Sequence, residues 1–311
     1  MKMNPASKKQ GIELRSGTTV RGKWHQNKYT IGRKLGAGAI GTVYLCEHNG
    51  KPAALKISEK GTSMTVEVNV LKSLKKVQGN HLGPSLLDVD DWMNPRGEVY
   101  SFYVMEYLNG ETLPHFIKAN DKDWLGVFMI QLLEDLDRLH QSGWIFGDLK
   151  PENLIILSPP PRIRWVDVGG TTKTGRAIKE YTEFYDRGYW GMGTRRAEPS
   201  YDLFAFVMVF LNIYYPNRFI KNGEPSEKLL FKKIDQVKDL YPYRTVLKKA
   251  VKGTYASSAN MKRELITVLN VTKKRQNYHR TKKFPKTKLQ LAEPGGIGIL
   301  AVLYYLLSLL F

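Results

Sequence analysis

From Tyr29 to Ile57 the chain reads as three strands joined by two turns, and no other run constrains the fold as strongly. The first turn is the glycine-rich Gly36-Ala-Gly38-Ala-Ile-Gly41-Thr-Val43. The second is Asn49-Gly50, a dipeptide favoured where both central residues of a two-residue hairpin need positive φ. An antiparallel sheet is predicted to begin here.

Past Ile57 the period changes. Val66, Val70, Leu74 and Val77 recur at helical spacing and predict an amphipathic helix carrying Glu67, after which Tyr100–Met105 reads as another strand. Beyond Gly110, Leu125, Phe128, Met129, Leu132, Leu133, Leu136 and Leu139 form a helical apolar stripe that stops near His140-Gln-Ser-Gly143. Leu203 to Tyr215 is apolar almost all round, as expected of a helix buried through the centre of a lobe. The expected fold class is therefore α+β: a small β-rich lobe followed by a mainly α lobe. The 311 residues suffice for one such large domain, and no internal repeat suggests a solenoid.

The glycine turn could let backbone amides close over nucleotide phosphates, although a tight turn alone has the same composition. Leu55-Lys56-Ile57 adds an ammonium on the third strand, facing that loop. There Lys56 can pair with nucleotide phosphates and with a helix carboxylate, for which Glu67 is best placed. Gly36, Gly38, Gly41, Val43, Lys56 and Glu67 are thus candidate ATP-binding residues.

With these residues the sequence resembles the Hanks-type protein kinases, over roughly Tyr29 to Asn270. Met105-Glu106-Tyr107 is similar to the gatekeeper and adenine-binding hinge of that family, which implies that Glu106 and Tyr107 border the nucleotide. Ile145-Phe-Gly-Asp148-Leu-Lys150-Pro-Glu-Asn153 is similar to its catalytic loop. The resemblance implies that Asp148 takes the proton of the substrate hydroxyl, Lys150 offsets charge on the transferring phosphoryl group, and Asn153 holds a metal ion. Val166-Asp167-Val168-Gly169 stands where the metal-binding Asp-Phe-Gly belongs, making Asp167 the second metal ligand. ATP with Mg²⁺, or Mn²⁺ in its place, is the implied cofactor pair, and Lys-Pro-Glu-Asn implies protein Ser and Thr hydroxyls as acceptors.

There are departures. Phe146 and Gly147 replace the usual His-Arg pair, removing the arginine that reads activation-loop phosphorylation. No Ala-Pro-Glu anchor is visible; Gly188-Tyr189-Trp190 occupies about its place, upstream of Asp202, which resembles the buried aspartate of the lobe's central helix. Thr171, Thr172, Thr174 and Thr182 are candidate autophosphorylation sites, or simply solvated loop threonines.

The formal charge of +19 predicts attraction to polyanions, and lone Cys46 excludes an internal disulfide or a thiolate zinc site, favouring a reducing compartment. No secretion signal precedes Tyr29. The expected organisation is a polar arm over 1–26, a kinase domain over 27–270 with lobes meeting near 107, a basic linker over 271–290, and an apolar segment over 294–311. As a helix, Gly295–Phe311 would reach about 25 Å, near the thickness of a bilayer core; a buried terminal helix is the alternative. Lys273, Lys274, Arg275, Arg280, Lys282, Lys283, Lys286 and Lys288 precede it with no acid among them. By the positive-inside rule they place the domain on the cytoplasmic side of the cell membrane, anchored by a single C-terminal span. Charge alone leaves anionic lipid and duplex DNA equally open as the partner of this run. The arrangement as a whole resembles the YabT-type kinases of spore-forming bacilli. That resemblance implies DNA as an activating ligand and a role in sporulation, and it leaves a homodimer open. A small-molecule kinase of the same fold and a non-catalytic DNA-binding scaffold are the rival readings.

Overall fold

Asn49 and Gly50 adopt φ of 51° and 74°, so the expected two-residue turn joins two strands of a sheet. In this computed structural model the described residues are 12–38, 41–59, 61–75 and 82–283. Val77, Lys286, Lys288 and the apolar segment 294–311 lie outside them.

The first lobe is a six-stranded antiparallel sheet of β1 (Thr19–Arg21), β2 (Lys28–Ala37), β3 (Thr42–His48), β4 (Lys51–Ser58), β5 (Leu86–Met93) and β6 (Val99–Glu106), in the order β1-β2-β3-β4-β6-β5. Tyr29, Ile31, Tyr44, Cys46, Leu55, Phe102 and Val104 form its core. Helix α1 (Gly61–Lys75) packs on β5 and β6.

Two sequence expectations change here. The arm expected over 1–26 contributes to the sheet from residue 12 onward: Val20 on β1 is fully buried, Ile12 and Leu14 pack on the same core, and Tyr44 Oη donates to Ile12 O at 2.6 Å. The Trp24–His25 backbone is held by Asp90, which accepts from both N–H groups at 2.9 and 2.8 Å. Polar composition hid this because the apolar residues Ile12, Leu14 and Val20 are scattered and the remaining contacts are hydrogen bonds. On α1 the buried arc is Met64, Glu67, Val68, Val70, Leu71 and Leu74, so the expected Val70 and Leu74 are buried whereas Val66 is 54% exposed. The helix is turned so that Glu67, one step of about 100° from Val66, faces the sheet.

The second lobe comprises β7 (Glu111–Thr112), α2 (Leu113–Ala119), α3 (Asp123–Gln141), β8 (Trp144–Ile145), β9 (Leu154–Leu157), β10 (Arg162–Trp165), β11 (Thr172–Lys173), α4 (Arg187–Trp190), α5 (Pro199–Asn212), α6 (Ser226–Gln236), α7 (Arg244–Val251) and α8 (Ser258–Lys283). Residues 201–212 of α5 are all buried, as the unbroken apolar run predicted. Two small sheets, β10-β9-β7 and β11-β8, bracket residues 146–153. The described residues fall into two compact units, divided between Ile266 and Thr267. Among the described residues no helix is long and apolar enough to cross a membrane.

Candidate active site

Lys56 on β4 and Glu67 on α1 meet with Nζ 2.9 Å from Oε1 and 2.7 Å from Oε2, both side chains being almost wholly buried. Eleven residues suffice to bridge them because α1 starts directly after β4. Tyr103, the cross-strand partner of Lys56 on β6, donates its hydroxyl to Glu67 Oε2 at 2.9 Å. Asp167 Oδ1 lies 3.7 Å from Lys56 Nζ and accepts Gly169 N–H at 2.9 Å; its side chain is 47% exposed. Burial pushes the Lys56 ammonium down, but the charges of Asp167 and Glu67 outweigh it and leave the pKa above that of ordinary lysine. Burial also lifts the Glu67 carboxyl, and Lys56 offsets only part of that rise.

The glycine turn lies above this pair, with Val43 facing Gly36 on β2 and Lys56 on β4 across the ladders. A Cβ on Gly36 or Gly38 would meet nothing within 4 Å, whereas one on Gly41 would lie 2.3 Å from Ile57 O. The first two glycines therefore border open space and the third lets two strands approach. At the hinge, Glu106 accepts Ser85 N–H at 3.1 Å and Arg164 Nη2 at 3.2 Å, so its carboxylate ties β6 to β10. The Tyr107 hydroxyl accepts from Arg33 Nη2 of β2 at 3.3 Å.

In the 146–153 loop, Asp148 forms an ion pair with Lys150 through Oδ2 and accepts the Thr182 hydroxyl at Oδ1, 3.2 Å away. Asn153 Nδ2 donates to Asp148 O at 2.8 Å, which leaves the Asn153 Oδ1 for another partner. The loop hangs on buried Asp202 of α5, which accepts Phe146 N–H at 2.7 Å and Gly147 N–H at 2.9 Å. His140 Nε2 contacts Asp202 Oδ2 at 2.8 Å, and its Nδ1 contacts Ser258 Oγ at 3.1 Å at the start of α8. Gly147 has φ of 80°, and a Cβ there would lie 2.6 Å from Gly170 O. The arginine missing from this position is thus excluded by backbone conformation and by space.

Sequence reasoning missed how the 171–200 segment is anchored. Asp186 is fully buried, caps α4 by accepting Gly188 and Tyr189 N–H at 3.0 and 2.8 Å, and pairs with Arg195 at 2.7 Å. Its neighbour Arg187, also buried, pairs with Glu198 at 2.6 Å and donates to Thr194 O at 2.7 Å and Ser200 Oγ at 2.6 Å. These crossed ion pairs occupy the place of the absent Ala-Pro-Glu anchor. The missed Glu180 faces the site as well: burial raises its carboxyl, as do Glu67, Asp148 and Asp167, while Lys56 lowers it.

Thus Lys56, Glu67 and Asp167 come together as one cluster, and Asp148, Lys150 and Asn153 as another, joined where a Cβ on Gly170 would press 2.6 Å from Asp148 Cβ. Lys273, Lys274, Arg275, Arg280, Lys282 and Lys283 fall on helix α8, in the second compact unit. Half-exposed Asp167 and Asn153 Oδ1 offer the hard oxygen donors that a divalent cation prefers, and the open side of the glycine turn suits a nucleotide.

Residues 29–283 match the protein kinase domain family. The chain is 47% identical over 293 residues to the serine/threonine-protein kinase YabT of Bacillus subtilis, covering 94% of this chain and 86% of that protein. It is 30% identical over 162 residues to an Aurora kinase of Eremothecium gossypii, covering 50% of this chain and 43% of the relative. Among solved structures, the PknI kinase domain of Mycobacterium tuberculosis superposes with a TM-score of 0.57 at 18% identity, covering 83% of this chain and all of that one.

Proposed function

This chain belongs to the protein kinase family and is an ATP-dependent Ser/Thr kinase; from that premise we propose that it is tethered to the membrane by its last residues and stimulated by duplex DNA at its basic linker. Mg²⁺ is the metal of this reading. Asp167 and Asn153 would hold it, and when bound it neutralises charge on the phosphates.

The residues of the chain do the rest. Lys56, fixed by Glu67, orients the α- and β-phosphates beneath the glycine turn. Asp148 orients the Ser or Thr hydroxyl and accepts its proton as the oxygen bonds to the γ-phosphorus and ADP leaves. Lys150, already paired with Asp148, balances charge on the transferring group.

The observation that carries this reading is the closed Lys56–Glu67 pair beside Asp167. A scaffold that had given up phosphoryl transfer would have no use for a buried ammonium desolvated at such cost. Tethering is supported by the uncharged run Gly295–Phe311 after eight cations. DNA is favoured over lipid by the resemblance to the YabT-type kinases, which extends over 94% of this chain.

The test is transfer of labelled phosphate from ATP to the chain itself and to a Ser/Thr-bearing test protein, with duplex DNA, with anionic vesicles, or with neither. Wild type, Asp148→Asn and a variant with the linker cations changed to glutamine are compared. Transfer that needs Asp148 and rises with DNA only when the linker is intact supports the reading. Stimulation by vesicles alone assigns the linker to lipid, and DNA stimulation that survives the glutamine changes refutes the linker assignment.

A further inference from the structure

Residues 175–178 run antiparallel to 195–197. The two strands are joined by hydrogen bonds from Gly175 N to Ala197 O (2.7 Å), Ala197 N to Arg176 O (2.7 Å) and Ile178 N to Arg195 O (2.8 Å), with Ala177 opposite Arg196. One face of this ribbon is buried: Ile178 and Ala197 pack with Ile145 and Tyr201, so it sits on the strand that leads into the catalytic loop. The other face is exposed and basic. Lys173–Lys179 and Thr194–Ala197 carry five cations and no acid.

Two of the five are occupied. Arg195 pairs with Asp186 and lies 4.1 Å over the Tyr181 ring, and Lys173 lies 5.3 Å over Trp144. The side chains of Arg176, Lys179 and Arg196 are exposed and make no hydrogen bond or ion pair among the described residues. The acid beside Arg196, Glu198, is already held by Arg187 and Ser200. The neighbour of Lys179, Glu180, makes no hydrogen bond or ion pair with it, and the charge of Lys56 acts on its carboxyl against the repulsion of Glu67, Asp148 and Asp167.

We infer that this ribbon reads acidic side chains of the protein substrate, selecting a Ser or Thr with Asp or Glu two to four positions away. The inference rests on the kinase reading, in which protein hydroxyls are the acceptors. Reach supports it. Lys179 precedes Thr182 by three residues, and Thr182 touches Asp148 at 3.2 Å. Three residues span at most about 11 Å, within the roughly 7–14 Å that two to four substrate residues reach from a hydroxyl seated on Asp148. The ladder fixes the backbone that carries Arg176 and Arg196, so only the side chains remain to be ordered when substrate arrives. A duplex is the poorer fit, since three free cations supply well under the roughly six to ten phosphate contacts of a typical DNA-binding surface.

The full-length chain is tested on three serine peptides that carry Asp, Ala or Lys at the positions two to four residues from the serine. Wild type should favour the Asp peptide over the Ala peptide by about tenfold in kcat/KM, chiefly through KM. With Arg176, Lys179 and Arg196 changed together to glutamine, that ratio should fall to within about twofold of one. Changing Arg176 and Arg196 to glutamate should turn the preference toward the Lys peptide, a gain that a misfolded variant cannot show. Equal turnover of the three peptides by wild type, or a preference untouched in the glutamine variant, overturns the inference while leaving the kinase reading intact. ATP consumption with no transfer to any peptide overturns the protein-acceptor reading and this one with it. Loss of duplex binding in the glutamine variant, alongside no acidic preference in wild type, reassigns the ribbon to nucleic acid.

Discussion

Tyr103 Oη donates to Glu67 Oε2 at 2.9 Å, so the carboxylate on which Lys56 rests is itself held from the strand next to Lys56. Burial, reinforced by the charges of Glu67 and Asp167, raises the phenol well above its ordinary range, which keeps it a donor at any working pH. Lys56, Tyr103 and Glu67 therefore form one buried polar unit in which each member fixes the next.

Removing the hydroxyl with Tyr103→Phe preserves the ring packing and leaves one Glu67 oxygen without its phenolic donor. A hydrogen bond to a charged group contributes about 1.5–3 kcal/mol. Some of that should appear as a roughly tenfold loss in kcat/KM for ATP, together with a melting temperature lower by a few degrees. Steady-state kinetics against ATP check this, and an unchanged kcat/KM would leave Tyr103 a packing residue only.

Thr182 is better read as a support for Asp148 than as a solvated phosphorylation site. Its hydroxyl hydrogen-bonds the carboxylate expected to act as base. Thr182→Ser should keep most activity, Thr182→Val should lower kcat by about tenfold, and Thr182→Glu should nearly abolish turnover by setting two carboxylates against each other. Full activity in Thr182→Glu would show that the contact is dispensable.

The legible part of this site was the part that requires particular residues close together in sequence. Asp148, Lys150 and Asn153 lie within one loop, and a lysine inside an apolar strand is conspicuous. Tyr103 was not legible, because a tyrosine in a strand reads as core and its partnership with Lys56 exists only once β6 is known to lie beside β4. His140 likewise reads as a residue ending a helix, and nothing local points to Asp202 or Ser258, 62 and 118 positions away. Asp186 and Arg187 read as surface charges, whereas folding buries both and pairs each with a residue from 195–198. The eight linker residues stood out by charge, but charge does not distinguish one polyanion from another.

Asp135 on α3 offers a test of pH dependence. It pairs with Arg138 and accepts Arg162 Nη2 at 2.8 Å, pinning β10 to α3, and burial raises its carboxyl from 3.8 to about 6 despite both arginines. A carboxyl bound more tightly to its proton in the folded state stabilises that state at low pH. This contribution is complete below the unfolded value of 3.8 and is lost as pH rises through about 6. Relative to Asp135→Asn, wild type should therefore lose about 2 kcal/mol of unfolding free energy between about pH 4.5 and pH 7, and nothing further above that. Urea unfolding of both proteins across that range measures the difference; a constant offset would place the Asp135 pKa in the ordinary range.

The crossed pairs at the end of the activation segment confine the effect of a single substitution to that segment. Arg187 is buried and supplies donors to Glu198, Thr194 O and Ser200, so Arg187→Met removes three partners at once while keeping the aliphatic bulk. Glu198 is 41% exposed and can turn to water when its partner is lost, but Thr194 O and Ser200 Oγ lose the side chain that ties them to α4. The cost should be about 3 kcal/mol, at the lower end for breaking a buried pair, and it should fall mainly on this segment. Limited proteolysis should then cut within residues 176–196 well before the rest of the domain opens, and kcat should fall with KM for ATP unchanged. If instead the whole domain melts earlier with the segment still protected, the pair stabilises the lobe in general, and the segment is held by Asp186 and Arg195 alone.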